Sequence, residues 1–194
     1  MLVVALVFLM LITLLSIAAA SHSLLQQRMA GGLRDAQQAE MGAEAALRGA
    51  EWRLWTASAT SSALRCGSAV LTDCYLNDPL TGPVEAVKVF RTSAGWVSAY
   101  GTEYNAGSGG VDFTSPASQA GNAALARNPR YLIEDLGPEL PPDTGIQHES
   151  GASGAGSVGY TSTSRHVYRI TARSTGGNAN TVRVFESTFS AKGD

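Results

Sequence analysis

The stretch LVVALVFLMLITLLSIAAA, residues 2–20, decides how this chain is organised. It contains no charged side chain, and its two hydroxyl groups, at Thr13 and Ser16, can bond back to carbonyls of their own helix. At about 1.5 Å of rise per residue, a helix of this length just crosses the roughly 30 Å hydrocarbon core of a bilayer. The sequence therefore predicts a transmembrane helix segment at residues 1–20.

A cleaved secretory signal is the alternative interpretation of the same stretch. Ala18, Ala19 and Ala20 before Ser21 resemble a small-residue cleavage site. The apolar run is longer than the roughly 7 to 15 residues of a signal peptide, and no Lys or Arg precedes it in this sequence. These features favour a retained span, and a secreted domain that starts at Ser21 stays open.

A helical pattern continues beyond the span, and no proline occurs before Pro79 to stop it. Apolar residues recur at steps of three and four, at Leu25, Met29, Leu33, Ala36, Ala39, Ala43, Ala46, Leu47, Ala50 and Leu54. Polar residues mark the opposite side, at Arg28, Arg34, Gln37, Gln38, Glu44, Arg48 and Glu51. We expect an amphipathic continuation of the helix over residues 21–57. The adjacent Gly31 and Gly32 have two interpretations: the helix simply tolerates two glycines in its interior, or they form a hinge.

The apolar and polar sides of this amphipathic helix predict different contacts. Leu47, Ala50 and Leu54 are expected to face a folded head, which residues 58–194 form. Arg28 and Gln37 are expected to stay accessible.

Residues 58–194 change to a period of two, with turn residues between the segments. Predicted strands are residues 84–91, 96–101, 130–134, 165–173 and 181–189. The fourth alternates cleanly, as in a half-solvated antiparallel strand, whereas the fifth needs a bulge or two covered faces. Residues 175–180, rich in Gly and Asn, predict a hairpin loop between these two strands. The fold class is therefore α+β, with a long N-terminal helix packed on a C-terminal antiparallel sheet.

Cys66 and Cys74 are the two cysteines of the chain. Two cysteines beyond a membrane span favour one disulfide in an oxidising compartment. Two thiols without a nearby histidine would leave a zinc site half-filled, so metal binding is a poor competitor. Two free surface thiols are the remaining alternative.

Composition and motifs argue against several functional classes. With 14 Lys and Arg against 16 Asp and Glu, the chain has no excess positive charge for nucleic acid. Residues 154–159, GAGSVG, match the dinucleotide fingerprint, but a Ser/Gly loop leads in and a strand follows, so the required strand and helix are missing. We therefore expect no cofactor.

The histidines do not form a recognisable catalytic pattern. They stand at His22, His148 and His166. His148 and Asp143 could be combined with a serine on paper, but no nucleophile elbow accompanies them. We expect no catalytic and no metal-ligating residue.

The tryptophans have a structural explanation at this stage. Trp52, Trp55 and Trp96 are expected to pack in the core between helix and sheet.

Four segments carry a family resemblance. They are LQQRMAGGLRD at 25–35, AEAALR at 43–48, NPRYLIE at 128–134 and YRITARSTGG at 168–177. With the preceding span, they resemble the PilX-type minor pilins of bacterial type IV pili. The resemblance implies a pilin-like fold and a non-enzymatic subunit whose head lies in the periplasm and which primes assembly or caps the fibre tip.

The resemblance also implies partners: other minor pilins, the major pilin, a large pilus-tip adhesin and the inner-membrane assembly machinery. In a bundle with other spans, the small residues that permit close helix packing are Ala5, Ala18, Ala19 and Ala20. Arg28 and Gln37 would then be available to neighbouring subunits.

One departure from ordinary pilins is informative. Most pilins carry a glutamate a few residues into the apolar segment, whereas the first acidic residue here is Asp35. The resemblance then implies a position at which no glutamate is needed to pair with the N-terminal amine of a neighbouring subunit, as in the tip-forming minor pseudopilin of type II secretion. A type II secretion pseudopilin is one alternative, against which residues 25–33 argue, and a secreted enzyme or binding module is the other.

Overall fold

The computed structural model describes residues 1–60, 64, 66–67, 71, 73–115, 124–139 and 165–192. Helix α1, Leu2–Thr60, runs without a break from the apolar segment into the head, and a short helix, α2, spans Glu85–Thr92. The strands are β1 Cys74–Leu76, β2 Thr102–Glu103, β3 Arg130–Pro138, β4 Arg165–Thr175 and β5 Val182–Lys192.

The strands form one sheet in the order β1-β3-β4-β5, and β2 pairs with β3 beside β1. Pairing is antiparallel except between β1 and β3, which run parallel. Strands β4 and β5 form a long hairpin, paired from Arg165↔Lys192 to Thr175↔Val182 without a register shift. Residues 176–181 connect them, as the sequence predicts.

Helix α1 packs across one face of this sheet. Alanines supply much of the helix side of the contact, at Ala43, Ala46, Ala50 and Ala57. Because these side chains are small, the helix axis can lie close to the strands. Tyr168, Ile170 and Ala172 of β4 are fully buried beneath the helix. The predicted α+β class, with a long helix on a mainly antiparallel sheet, is confirmed.

The opposite face of the sheet is also covered, near the middle of β3. Val87 and Phe90 of α2 pack with Val97 and Leu132 in a second apolar cluster. The expectation of a half-solvated β4 is therefore wrong at its C-terminal end, where Thr171 and Arg173 are buried on this second face.

Strand β5 has no bulge against β4. Phe185 and Phe189 pack on the α1 side of the sheet, whereas Val184 pairs with Arg173 on the other side. The bulge offered by the sequence is therefore absent from this pairing. On the second face Val184 is half-buried, whereas Glu186, Thr188 and Ser190 are exposed, so only the α1 face of β5 is covered along its length.

The predicted strand at residues 84–91 is wrong, because this segment forms helix α2. Its valines mimic an alternating pattern, but Ala86, Val87 and Phe90 fall on one helical face and are buried. Glu85 in the first turn and Arg91 in the last turn suit the helix dipole.

The predicted strand at residues 96–101 is also wrong, because sheet pairing begins at Thr102. Two arginines from the sheet bind main-chain carbonyls before that point. Arg173 donates to Ser93 at 2.6 Å and to Gly95, and Arg130 donates to Tyr100 at 3.0 Å and to Gly101. These carbonyls are satisfied by guanidinium groups and need no strand ladder.

Candidate functional site

The N-terminal half of α1 stands outside the head. Every residue from 1 to 34 is exposed, and packing against the head begins at Asp35. The hydroxyl groups of Thr13 and Ser16 donate to Met10 and Ile12 carbonyls, each at 2.8 Å. Within the described ranges, α1 is the one helix long and apolar enough to cross a membrane, judged by length and composition. An exposed apolar surface of this extent calls for lipid or for other helices.

The small residues of the span are Ala5, Ala18, Ala19 and Ala20. All four are exposed on this free part of α1. At 100° per residue, Ala5 and Ala19 lie about 40° apart around the helix and about four turns apart along it. No partner chain is present beside them, so their part in bundle packing stays a prediction.

The junction of helix and head contains the residues chosen for that contact. Leu54 and Ala50 are fully buried, Leu47 is almost so, and all three belong to the main core cluster. Arg28 and Gln37 are exposed on the helix. The amphipathic pattern thus separates a side that contacts the head from a side that faces outward.

Polar contacts fix the position of α1 along the sheet. Asp35 Oδ1 accepts a hydrogen bond from the Asn178 main-chain N–H at 2.9 Å. Further along the helix, Glu51 accepts one from the Ser187 hydroxyl at 2.8 Å, and Arg53 donates to the Tyr131 hydroxyl at 2.9 Å. The sequence pattern had assigned Glu51 to the outward side and gave no indication of these long-range partners.

Cys66 and Cys74 form a disulfide, as the sequence predicts. Cys74 is the first residue of β1, which pairs in parallel with β3 at Cys74↔Ile133. Next to it, the Thr102 hydroxyl donates to the Asp73 carboxylate. The disulfide therefore ties the segment that follows α1 to the edge of the sheet.

His166 contacts a buried carboxylate within the sheet. Its Nδ1 lies 3.0 Å from both carboxylate oxygens of Asp135, which is buried. Burial and the charge of Asp135 raise the pKa of the neighbouring Tyr168 hydroxyl well above its usual range. The pair joins β3 to β4, and this position explains it as a structural contact.

Other motifs from the sequence have different outcomes. His22 is exposed on α1. His148, Asp143 and residues 154–159 lie outside the described residues. Among the described residues, no three His, Cys, Asp or Glu side chains are grouped so that they could hold a metal ion.

The assignment of Trp52 and Trp55 to the core is wrong. Their side chains are 64% and 54% exposed, with ring centroids 4.9 Å apart. Ala50, Leu54 and Ala57 define the buried line of α1, and at 100° per residue Trp52 lies about 160° from Leu54. Trp96 is half-buried, with the Arg127 guanidinium 5.8 Å from its ring centroid.

A helix that is apolar and free over its first half, and packed over its second half on a sheet with a disulfide, defines the pilin-like class of proteins. Two family profiles match this chain. The one described as "Type IV pilus assembly protein PilX C-term" covers residues 54–191, and the one described as "PilX N-terminal" covers residues 1–48. The chain belongs to the PilX family of type IV pilus assembly proteins, and it is a minor pilin.

The resemblance seen in the sequence is thereby confirmed. No curated protein and no solved structure matches the chain. The PilX family consists of structural components of the pilus. Family and exposed apolar helix together fit a protein that is anchored in a membrane and associated with the pilus.

Proposed function

We propose that this minor pilin primes assembly of the type IV pilus and occupies a position at or near the fibre tip, as a structural and non-enzymatic subunit. The observation that carries the proposal is the division of α1. Residues 1–34 are exposed and mostly apolar, while the rest of the same helix is built into the head. One continuous helix thus presents a membrane-compatible surface and carries a folded domain.

Before assembly, residues 2–20 lie in the inner membrane and the head lies in the periplasm. Lipid tails are as apolar as the helix, so no hydrophobic force drives spans together, and close packing must hold a bundle. Ala5, Ala18, Ala19 and Ala20 supply the small side chains for that packing. Extraction into the fibre by the inner-membrane assembly machinery exchanges lipid contacts for helix contacts of similar polarity, alongside the spans of other minor pilins and the major pilin.

The tip position is supported by the absence of acidic residues from residues 2–20. A charged group in an apolar environment is costly unless it is paired, and residues 2–20 offer no carboxylate to pair with a neighbour's charged amine. The first carboxylate, Asp35, is bonded to the head at Asn178. Such a subunit suits the end of the fibre, next to other minor pilins and a large tip adhesin.

The test is complementation of a strain that lacks this chain. The full chain should restore surface pili and twitching, whereas a chain starting at Arg28 should yield a soluble head and few or no pili. Normal piliation with the truncated chain would contradict the proposal.

A second variant separates anchoring from packing. Replacing the four span alanines with leucine keeps the segment apolar but blocks close approach of other helices. We expect membrane insertion to persist and piliation to fall. Immunogold labelling should find the head at fibre ends, and label along the whole fibre would argue against the tip position.

A further inference from the structure

Trp52 forms a ridge between two hollows on the outward side of the helix–head junction. The larger hollow has a volume of about 560 Å³ and is lined by Arg48, Arg53 and Tyr104, with Trp52 as one wall. On the other flank lies a hollow of about 260 Å³, lined by Arg48, Glu51, Trp52, Trp55 and Phe189, in which the Glu51 carboxylate already accepts a hydrogen bond from Ser187. The surface is therefore concave on both sides of an exposed indole.

This surface has no explanation in the stability of the head. Large exposed apolar side chains gain nothing from folding where they remain in water, and grouped ones mark interaction sites. Trp, Tyr and Arg are the residue types that supply most of the binding energy at protein interfaces. Trp52, Trp55, Tyr104 and Arg48 bring these types together at one place.

The charge of the larger hollow selects the kind of partner. Its described lining residues include Arg48 and Arg53 and no carboxylate. Arg48 is 81% exposed and lies 4.0 Å from Glu44, a separation at which a surface ion pair is weak. A guanidinium that projects beside an indole fits a segment carrying both an apolar side chain and a carboxylate.

Two other occupants fit less well. Trp52 lies 32 positions beyond Ala20, or about 48 Å along a straight helix, which places it well outside the headgroup layer of the membrane. A symmetric contact with a second copy would bring two copies of the same arginine-bearing patch together. Like charges in a contact oppose association.

We propose that Trp52, Trp55 and Arg48 form a docking groove for an acidic, apolar segment of another pilus subunit. This inference rests on the proposed function, because it takes the partner from the assembling pilus. The indoles fill hollows on the partner, and Arg48 pairs with its carboxylate.

The experiment is photo-cross-linking in cells, with p-benzoylphenylalanine at position 56 of the full chain, because Thr56 lines the larger hollow. We expect an adduct with another pilus subunit at a peptide that contains Asp or Glu. The same probe at position 80, where the side chain is exposed on a turn, should give no such adduct. An adduct with a second copy of this chain or with lipid would overturn the inference, and so would the absence of any protein adduct.

Variants test the individual side chains. Changing both Trp52 and Trp55 to Ala should lower adduct yield and piliation by about ten-fold, as loss of two interface anchors does. Arg48→Glu should lower adduct yield and piliation similarly. Arg48→Lys should leave both within about two-fold of the wild-type values, because it keeps the positive charge. Leu80→Ala is the matched control for loss of an exposed apolar side chain. Unchanged thermal unfolding of the variants would show that their heads are folded.

The two proposals fail in different ways. If deletion of the whole chain left piliation normal, the proposed function would fail, and the adduct would still report on the groove. If deletion abolished pili but the tryptophan and Arg48 variants were piliated and cross-linked normally, the groove alone would be wrong.

Discussion

Asp35 and Asn178, 143 positions apart in the chain, are joined by a hydrogen bond of 2.9 Å from the Asn178 main-chain N–H to Asp35 Oδ1. The bond holds the tip of the β4–β5 hairpin against α1, at the point where the helix enters the head. Gly176 lies so close to Asp35 that an added methyl group would overlap the Asp35 main-chain carbonyl and its carboxylate. The acidic residue that comes first in the sequence is therefore a structural anchor.

Removing this anchor should weaken the head. We expect Asp35→Ala to lower the free energy of unfolding by about 1 to 2 kcal/mol, because it deletes a charged acceptor. Urea unfolding of the full chain in detergent micelles measures the change. Asp35→Asn retains an acceptor oxygen and should lose less, and equal losses for the two variants would count against the hydrogen bond as the cause.

Gly176→Ala should destabilise the head by about 1 to 3 kcal/mol, the usual cost of forcing atoms into a packed contact. The adjacent glycine is a matched control. A methyl group on Gly177 would approach Asp35 and Gln38 no closer than 3.4 Å, which is ordinary contact. Gly177→Ala should therefore unfold close to the wild-type midpoint, and equal effects of the two substitutions would refute the close approach.

Leu54 provides a test of the contact between helix and sheet. Leu54→Asp places a carboxylate in a fully buried position and should cost about 3 to 5 kcal/mol. Met41→Asp introduces the same group on the exposed side of the same helix and should leave the unfolding midpoint nearly unchanged. A stable Leu54→Asp head would show that the helix packs through another side.

The disulfide should contribute about 2 to 3 kcal/mol, because it closes a short loop in the unfolded chain. Cys66→Ser is expected to lower the free energy of unfolding by that amount. Thiol labelling of the protein isolated without reductant should find neither cysteine free. Reductant should destabilise the wild type and have no effect on a variant with serine at both positions, and labelling of both wild-type thiols would refute the bridge.

Acid should weaken the attachment of α2 to the sheet. Arg91 donates two hydrogen bonds to the Glu186 carboxylate, and this contact holds the pKa of Glu186 below its usual range. Since the folded-state pKa is depressed, the stabilisation is fully present above the unfolded-state pKa. It is lost as the pH falls below about 4.3 and through the folded-state value.

Glu186→Gln removes this titration. Because the pair is partly exposed, we expect about 0.5 kcal/mol at neutral pH and a shallower loss of stability in acid than in the wild type. Unfolding midpoints measured from pH 7 to pH 3 give both curves. Parallel curves over the acid range would mean that Glu186 does not contribute to the acid sensitivity.

Local sequence predicted the parts of the fold that depend on local pattern. The long helix follows from its apolar period, the β4–β5 hairpin from two alternating segments around a glycine-rich loop, and the disulfide from the count of two cysteines. In each case the residues that form the feature are neighbours in the sequence or are few enough to leave one pairing.

Features that depend on distant residues were not predicted. Residues 96–101 have strand-like composition, but the carbonyls of Tyr100 and Gly101 are bound by Arg130, and those of Ser93 and Gly95 just before the segment are bound by Arg173. These arginines come from strands about 30 to 80 positions later in the chain. Strand β1 has three residues and relies on β3 for its pairing. No window of local sequence contains these partners.

The error at Trp52 and Trp55 has a different origin, because the information was present. The buried line of α1 was already defined by its alanines and leucines, and both tryptophans lie off that line. Residue type favours burial of an indole, but helical position places both side chains away from the sheet. At an assembly surface, position is the better guide because exposed aromatic side chains are what such surfaces use.

Gly31 and Gly32 have open space around them and lie just before the first contact of α1 with the head. The 29 positions back to Leu2 make a lever arm of about 44 Å, so a bend of 10° at this pair would swing the far end sideways by about 8 Å. That distance is close to the spacing of packed helices, about 8 to 10 Å. A small local change at two glycines would thus redirect the span toward a different neighbour without breaking any contact within the head.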